Sequence, residues 1–262
     1  NMKIFVLIAS IIVCANGAVF SPPRVPMLDG RIVGGVPISI SEAPYQVALL
    51  LDYWNSGYFS QSCGGSIISK TVVLTAAHCT DGQSLTIRAG STFHGSGGQV
   101  IAVASFIQHP EFNTRLDNDV SILFLSASLE LGPNVAIIGL ANQDQQVADG
   151  SSAVVTGWGT FTEGGPLATV LNKVVLPIIN QSQCAWAYAF FNPVTSNMIC
   201  AGKLNIGGQD ACQGDSGGPM VVNNTLVGIT SWGNGCARAQ YPGIWARVAS
   251  YNNWIKSNAL LN

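Results

Sequence analysis

The segment Gly214-Asp215-Ser216-Gly217-Gly218-Pro219 holds a serine in a setting suited to nucleophilic attack. A serine hydroxyl is a weak nucleophile, so attack on a carbonyl carbon needs a base beside it and backbone N–H donors facing the developing oxyanion. The glycines of this segment permit such a loop and let a substrate approach. We therefore predict acyl-transfer chemistry at Ser216; the alternative is an ordinary glycine-rich turn with an exposed serine.

A base for that serine is predicted at His78, in the segment Leu74-Thr75-Ala76-Ala77-His78-Cys79. Imidazole titrates near neutral pH, which suits a group that takes and returns a proton. The small residues before it would let the chain turn tightly after an apolar run. The other two histidines, His94 and His109, are interpreted as loop residues, because one follows a Gly/Ser-rich pattern and the other precedes a proline.

An orienting carboxylate is predicted at Asp119, just before the β-branched apolar run 120–125. A carboxylate at the mouth of a buried strand can accept the second imidazole N–H. That contact fixes the tautomer and stabilises the imidazolium that forms. Asp117 is the other candidate, and we assign it to capping of the loop.

The order of these three segments, and the residues around each, resemble the chymotrypsin-type serine peptidases, the trypsin family. The resemblance runs from Ile32 to about Ile255. It implies that Ser216 attacks the carbonyl, that His78 acts as base and acid, and that Asp119 orients His78. It also implies an oxyanion hole made by the N–H groups of Gly214 and Ser216. Protein and peptide substrates, and protein inhibitors of peptidases, are the implied partners.

The resemblance also implies a substrate pocket with Asp210 at its floor, six residues before Ser216. A carboxylate at the end of a mostly dry slot would accept a bidentate arginine or a lysine ammonium, so we expect cleavage after Arg or Lys. The expected pocket walls are Ser231, Trp232, Gly233 and Gly243. Trp245 departs from the tyrosine that the family more often has, which bears on the preference between lysine and arginine.

Activation by cleavage is a further implication of the resemblance. Cutting the bond between Arg31 and Ile32 would free an α-ammonium that pairs with Asp215 and orders the serine loop. Loss of one partner from a buried ion pair costs roughly 3–5 kcal/mol, which is enough to hold two loop conformations apart. Arg31 is itself a residue after which such an enzyme would cut, so autocatalytic activation is one hypothesis and an outside activating protease is the other.

Composition and the N-terminal residues favour a secreted protein. The chain has 262 residues, only 9% of them charged, and a net charge of −2. The absence of a basic cluster argues against nucleic-acid binding. Lys3, the apolar run 4–13 and the small residues after it predict a signal peptide over 1–17, too short for a membrane anchor. We expect an activation peptide over 18–31, a peptidase domain over 32–262, and a monomer.

Six cysteines remain after Cys14 leaves with the signal peptide. Six cysteines allow 15 pairings, which the sequence alone does not resolve. The family resemblance implies Cys63–Cys79, Cys184–Cys200 and Cys212–Cys236. Spacing of the CxxC type is missing, which argues against zinc. We expect no cofactor and no metal; the loop 90–99 contains no carboxylate for calcium. Asn180 and Asn223 begin sequons and are candidate glycosylation sites.

Many short apolar or alternating runs, separated by Gly, Asn and Ser, predict an all-β barrel or sandwich. The family resemblance narrows this prediction to two six-stranded antiparallel β-barrels followed by a C-terminal α-helix. The expected strands are 45–51, 66–68, 85–89, 100–107, 120–125, 153–156, 171–178, 198–201, 219–222, 226–231 and 243–247. Only the end of the chain has helical periodicity, at Val248, Tyr251, Trp254 and Ile255.

Two other functions compete with this interpretation. A catalytically inactive relative that only binds partners would usually lack one of the three site residues, and all three are present here. A regulatory protease with narrow specificity often carries an accessory domain. The short peptide before Ile32 and the three expected disulfides are more typical of an invertebrate digestive trypsin.

Overall fold

The computed structural model describes residues 33–52, 59–80 and 84–260. The expected signal peptide, the activation peptide and the Arg31–Ile32 bond lie outside these residues.

Fourteen strands and two α-helices follow one another in the described residues. The strands are β1 Val36–Pro37, β2 Gln46–Asp52, β3 Phe59–Ile67, β4 Val72–Thr75, β5 Leu85–Ala89, β6 Gln99–Gln108, β7 Ser121–Leu125, β8 Gly139–Leu140, β9 Ser152–Gly157, β10 Asn172–Ile179, β11 Met198–Ala201, β12 Pro219–Val222, β13 Thr225–Trp232 and β14 Gly243–Arg247. The helices are α1 Gln181–Ala187 and α2 Val248–Ala259.

The strands form two closed six-stranded antiparallel barrels, as predicted. The first barrel runs β2-β3-β4-β7-β6-β5, and β5 pairs back with β2. The second runs β10-β11-β14-β13-β12-β9, closed by pairing of β9 with β10. Closure leaves no long free edge in either barrel. The short strands β1 and β8 attach to the outside of the second barrel, on β10 and β13.

Both barrels are filled by the β-branched and aliphatic residues that alternate along their strands. Val47, Leu49 and Ile87 are fully buried in the first barrel, and Val155 and Leu176 in the second. Residues of this type suit a pleated surface whose inner face is removed from water.

The predicted strands agree with the structure most closely where apolar residues form a continuous run. β5, β11, β12 and β14 have the predicted bounds. β3 is the main exception, because it begins at Phe59 rather than near Ser66. Its first half is rich in Ser, Gln and Gly, which have low strand propensity, but pairing with β2 holds it in the sheet.

The C-terminal helix α2 is confirmed, and its predicted apolar positions face the core at Val248, Tyr251 and Ile255. The expectation that only this end is helical is wrong, because α1 is also present. Its N-cap is Asn180, whose side-chain oxygen accepts hydrogen bonds from the backbone of Ser182 and Gln183. A seven-residue helix is too short to show a clear apolar periodicity, which explains why it was missed.

The three disulfides have the pairing that the resemblance implies. Their S–S distances are 2.06 Å for Cys63–Cys79, 1.97 Å for Cys184–Cys200 and 2.12 Å for Cys212–Cys236. Neither α-helix of the described residues has the length and apolar character needed to cross a bilayer.

Candidate active site

His78 lies in a single 3-10 turn, Ala77–Cys79, directly after β4. Cys79 is bonded to Cys63 of β3, so the turn is tied covalently to the neighbouring strand. The side chain of Thr80 donates to the carbonyl of Ala77 at 2.8 Å and closes the turn. The imidazole is therefore presented from a short, doubly anchored turn rather than from a free loop.

Asp119 holds this histidine with both of its oxygens. Its Oδ2 lies 2.7 Å from Nδ1 of the His78 ring, and its Oδ1 accepts the backbone N–H of His78 at 3.0 Å. A carboxylate accepts at Nδ1, so the proton is placed there and Nε2 is left as the ring nitrogen that can accept another. Asp119 is 1% exposed, which keeps this contact away from competing water.

Ser231 adds a contact to this pair that sequence reasoning missed. Its hydroxyl donates to Oδ2 of Asp119 at 2.5 Å. We expected Ser231 only in the wall of the substrate pocket. It does line that pocket, but it also supports the carboxylate. No local signal reveals this contact, because 112 residues separate the two side chains.

Asp117 organises a loop, as assigned. Its Oδ1 accepts the backbone N–H of Asn118 at 3.0 Å and the hydroxyl of Thr195 at 2.9 Å. The other two histidines have different contacts. His109 packs on Tyr251 and Trp254, and the backbone carbonyl of His94 accepts a hydrogen bond from Arg88.

Ser216 lies in the turn before β12, and the first barrel reaches it through β3. The backbone N–H of Gly64 in β3 donates to the Ser216 carbonyl at 2.7 Å. The Gly64 carbonyl in turn accepts the hydroxyl of Thr75, three residues before His78, at 2.8 Å. One residue of β3 thus connects the histidine segment to the serine segment.

Gly214 has a backbone conformation that requires glycine. Its φ is +94°, and a Cβ there would lie 2.5 Å from Cδ2 of Leu167 and 3.2 Å from Cα of Gly159. Gly214 therefore has a left-handed backbone conformation and also lies close to the loop that carries Gly159 and Leu167.

A cavity of about 200 Å³ opens beside Ser216. The predicted pocket residues line it together with Ser216, and they are Asp210, Ser231, Trp232, Gly233 and Gly243. A Cβ on Gly243 would lie 2.6 Å from Oδ1 of Asp210 and 2.5 Å from the ring of Trp245. Glycine at this position therefore keeps the space above the carboxylate open. The Cys212–Cys236 disulfide joins two of the lining segments.

Asp210 is a buried carboxyl at this cavity, with 4% of its surface exposed. Burial raises its pKa to about 7, and the nearby charge of Asp215 adds to the rise. Backbone N–H groups of Ala237 and Ala211 donate to it at 3.0 and 2.8 Å and oppose that shift. Such a group binds a cation well, because an entering positive charge replaces the lost hydration.

Glu163 was not predicted at this cavity, and it lies on its lining. Both oxygens of its carboxylate accept hydrogen bonds from one guanidinium nitrogen of Arg238, at 3.0 and 3.1 Å. Both side chains are about half exposed, at 46% and 49%. The pair links the loop after β9 to the loop after β13, and a salt bridge this exposed contributes little to stability.

Asp215 is completely buried and burial raises its pKa to about 6. Its oxygens accept the backbone N–H groups of Gly159 at 2.7 Å and Cys212 at 2.9 Å. The expected partner, the α-amino group of Ile32, lies outside the described residues. The next residue, Val33, accepts the backbone N–H of Asp210 at 3.3 Å, so the chain after Ile32 runs along the pocket segment.

The metal-ligand residue types at the site do not fit a metal ion. Ligand-type atoms of Cys63, His78 and Cys79 lie within 4.8 Å of one another. Both sulfurs are joined in a disulfide, however, and zinc requires thiolates.

The double barrel and the site between its halves define a serine endopeptidase of the trypsin type. The Trypsin family model matches residues 32–255. The chain is 41% identical to the vitellin-degrading protease of Bombyx mori, over 95% of this chain and 94% of the relative. It is 43% identical to trypsin delta of Drosophila melanogaster, over 97% of this chain and 99% of that relative. Trypsin alpha of the same fly is 44% identical, over 98% of each chain. The chain belongs to the trypsin family.

Proposed function

We propose that this chain is a secreted digestive endopeptidase, made as a zymogen, that hydrolyses peptide bonds after Arg or Lys. One observation carries the specificity: a 4% exposed carboxyl, Asp210, lies on the same 200 Å³ cavity as Ser216. A neutral substrate side chain would leave that carboxyl without a positively charged partner, whereas a guanidinium or ammonium would pair with it.

In the proposed reaction, Ser216 attacks the carbonyl that follows the bound cationic residue. His78 takes the serine proton at Nε2 and later gives it to the leaving amine. Asp119 holds the ring through Nδ1 and stabilises the imidazolium. The N–H groups of Gly214 and Ser216 bind the oxyanion, and each such donor is worth roughly 10²–10³ in rate. Water then releases the acyl group by the same steps in reverse.

We propose activation by cleavage after Arg31. The new α-ammonium of Ile32 would pair with Asp215, which is fully buried and has only backbone donors among the described residues. The contact of Val33 with the Asp210 segment supports this proposal, because Val33 directly follows Ile32 in the chain. Secretion, the signal peptide over 1–17, the activation peptide over 18–31, the domain over 32–262 and the monomeric state belong to the same proposal.

Of the two sequons, Asn223 is the better candidate for a glycan. It lies exposed in the turn between β12 and β13. Both polar atoms of the Asn180 amide already make hydrogen bonds. Its Oδ1 caps α1, and its Nδ2, the atom to which a glycan would be attached, donates to Asp149 at 2.8 Å.

The test is hydrolysis of short arginine, lysine and phenylalanine amides by protein cut after Arg31. The proposal expects rapid cleavage of the first two, little of the third, and no cleavage by the Ser216→Ala variant. Preference for the phenylalanine amide would contradict the specificity. Binding of cationic inhibitors without any hydrolysis would instead indicate an inactive relative.

A further inference from the structure

The catalytic roles proposed above do not use Gln61, which is buried between the barrels. Gln61 lies in β3, two residues before Cys63, and is 4% exposed. The pairing of β2 with β3 shifts register here, since Leu49 faces Cys63 while Leu50 faces Gln61. Ser62 is therefore an extra residue, a β-bulge. Bulges of this kind re-aim a neighbouring side chain and occur beside active sites.

The side-chain amide of Gln61 reaches the second barrel. Its Nε2 donates one hydrogen bond to the Gly214 carbonyl at 2.8 Å and one to the carbonyl of Cys63, in the same strand, at 3.0 Å. Two carbonyl acceptors at this position require the NH₂ end of the amide, because the opposite orientation would place three oxygens together. The chemistry of the contact therefore fixes the orientation of the amide.

The other end of the amide has no protein partner among the described residues. Oε1 of Gln61 is buried there and accepts no hydrogen bond from them. A buried unpaired acceptor is costly, and an apolar side chain of similar shape would avoid that cost. An amide at this position therefore makes the two Nε2 hydrogen bonds, while the burial of its Oε1 lowers the stability of the fold.

We propose that Gln61 is a positioning residue for the oxyanion hole, acting through Gly214. This inference rests on the proposed role of the Gly214 N–H. Gly214 has φ +94° and no side chain, so its own sterics leave the neighbouring peptide groups free to rotate. The amide of Gln61 holds the carbonyl of the same residue. Fixing one end of a flexible glycine keeps its N–H aimed at the place where negative charge develops.

A second contact from the same strand holds the loop two residues further on. The Gly64 N–H donates to the Ser216 carbonyl at 2.7 Å. β3 thus fixes both residues whose N–H groups are the proposed oxyanion donors, one through backbone and one through a side chain. Only the Gln61 contact can be removed by substitution of a side chain.

The test uses the cut enzyme with Gln61→Met, which keeps the length of the side chain but removes both donors. We expect kcat on an arginine amide to fall about tenfold, the effect of one lost buried hydrogen bond. Affinity for a peptidyl-arginine aldehyde, which forms a tetrahedral adduct on Ser216, should fall by the same factor. Affinity for benzamidine, which needs only the Asp210 pocket, should stay within twofold.

The matched control is Gln46→Met in β2. Gln46 is fully buried, and its Oε1 accepts the hydroxyl of Thr156 at 2.7 Å. This variant loses a buried amide at the same interface without touching Gly214. It should therefore lower the melting temperature but leave the ratio of aldehyde to benzamidine affinity unchanged.

The outcomes distinguish failure of the positioning role of Gln61 from failure of the proposed function. Unchanged kcat and aldehyde affinity in Gln61→Met would overturn the positioning role. An equal loss of benzamidine affinity would overturn it too, because it would show a general structural effect. The wild-type enzyme in the same assays tests the proposed function by itself: without hydrolysis of the arginine amide, that function fails whatever the variant does.

Discussion

At the scale of single residues, the site depends on buried acids whose partners differ. Asp119 is held by His78 and Ser231, whereas Asp210 has backbone donors and an open cavity. The filled set of partners suits the orienting role proposed for Asp119. The open side of Asp210 suits its proposed role as a receptor for a cation.

The raised pKa of Asp210 predicts that benzamidine binding weakens in acid. Burial raises this pKa to about 7 in the empty pocket, so the carboxyl is mostly protonated below pH 7 and mostly ionised above it. A cation binds the ionised form, so affinity should be about tenfold lower at pH 6 than at pH 8, with a proton released on binding at pH 6. Calorimetry on the Ser216→Ala variant measures both quantities.

The control for this titration is Asp210→Asn in the same background. Any benzamidine binding that remains in this variant should release no proton, and its affinity should show no pH dependence with a midpoint near pH 7. If the Asp210 protein binds benzamidine equally well at pH 6 and pH 8, the receptor role of this carboxyl is wrong.

Ser231 provides a second residue-scale prediction. Replacement by alanine removes the 2.5 Å hydrogen bond to Asp119. We expect kcat on an arginine amide to fall about tenfold, because the imidazolium loses part of its support. Benzamidine affinity should change far less, since the Asp210 carboxyl is intact. If only benzamidine affinity changes and kcat does not, Ser231 lines the pocket without supporting Asp119, and the prediction is wrong.

At the scale of elements, Arg88 explains how a loop without carboxylates is held. Arg88 lies in β5, and its guanidinium donates to the carbonyls of His94, Gly95 and Gly97. Carbonyl oxygens converging in this way are ligands that a calcium ion would also use. An internal cation already occupies them. The lack of acids in the loop predicts that it binds no calcium, but the sequence gives no sign that Arg88 fills the loop.

We predict that Arg88→Met lowers the melting temperature by about 3–6 °C, from the loss of charge-assisted hydrogen bonds in a half-exposed setting. Calcium at millimolar concentration should leave the melting temperature of the unaltered protein unchanged. Lys256→Met, on the exposed face of α2, is the control and should shift it by less than about 1 °C. A clear rise with calcium in the unaltered protein would contradict the calcium prediction, and an Arg88→Met shift no larger than that of the control would contradict the role of Arg88.

The same scale shows which elements a sequence can predict. β11, β12 and β14 are continuous apolar runs with buried residues, and their bounds follow from the pattern. The first half of β3 has no such pattern, yet it carries Gln61 and the bulge. α1 has only seven residues and shows no clear apolar periodicity; its N-cap, Asn180, was the one local signal of a helix start.

At the scale of the whole molecule, the proposed site residues are divided between the two barrels. His78 and Asp119 belong to the first half of the chain, and Ser216 and Asp210 belong to the second. The residue types were identifiable from their segments. The contacts that join the halves were not, because Gln61 to Gly214 spans 153 residues and Ser231 to Asp119 spans 112. Contacts of this kind follow from tertiary packing and leave no local pattern.

Activation is a property of the whole molecule, because it would couple the N-terminal cut to the serine loop. We predict that Arg31→Gln protein stays inert, and that Asp215→Asn lowers kcat of the cut enzyme by about 10²–10⁴, from the 3–5 kcal/mol of a broken buried pair. Proenzyme carrying Ser216→Ala should remain uncut unless active enzyme is added. Maturation of that variant at the normal rate in purified form would disprove self-activation.

The central claim is that Asp210 selects the cationic side chain, and its most direct test is selectivity after Asp210→Ser. We predict that kcat/KM on an arginine amide falls at least about 10³-fold while that on a phenylalanine amide changes little, because only the arginine loses its partner. Glu130→Gln, an exposed acid outside the cavity, controls for the change in net charge and should leave both values unaltered. Unchanged selectivity for arginine in Asp210→Ser would contradict the account.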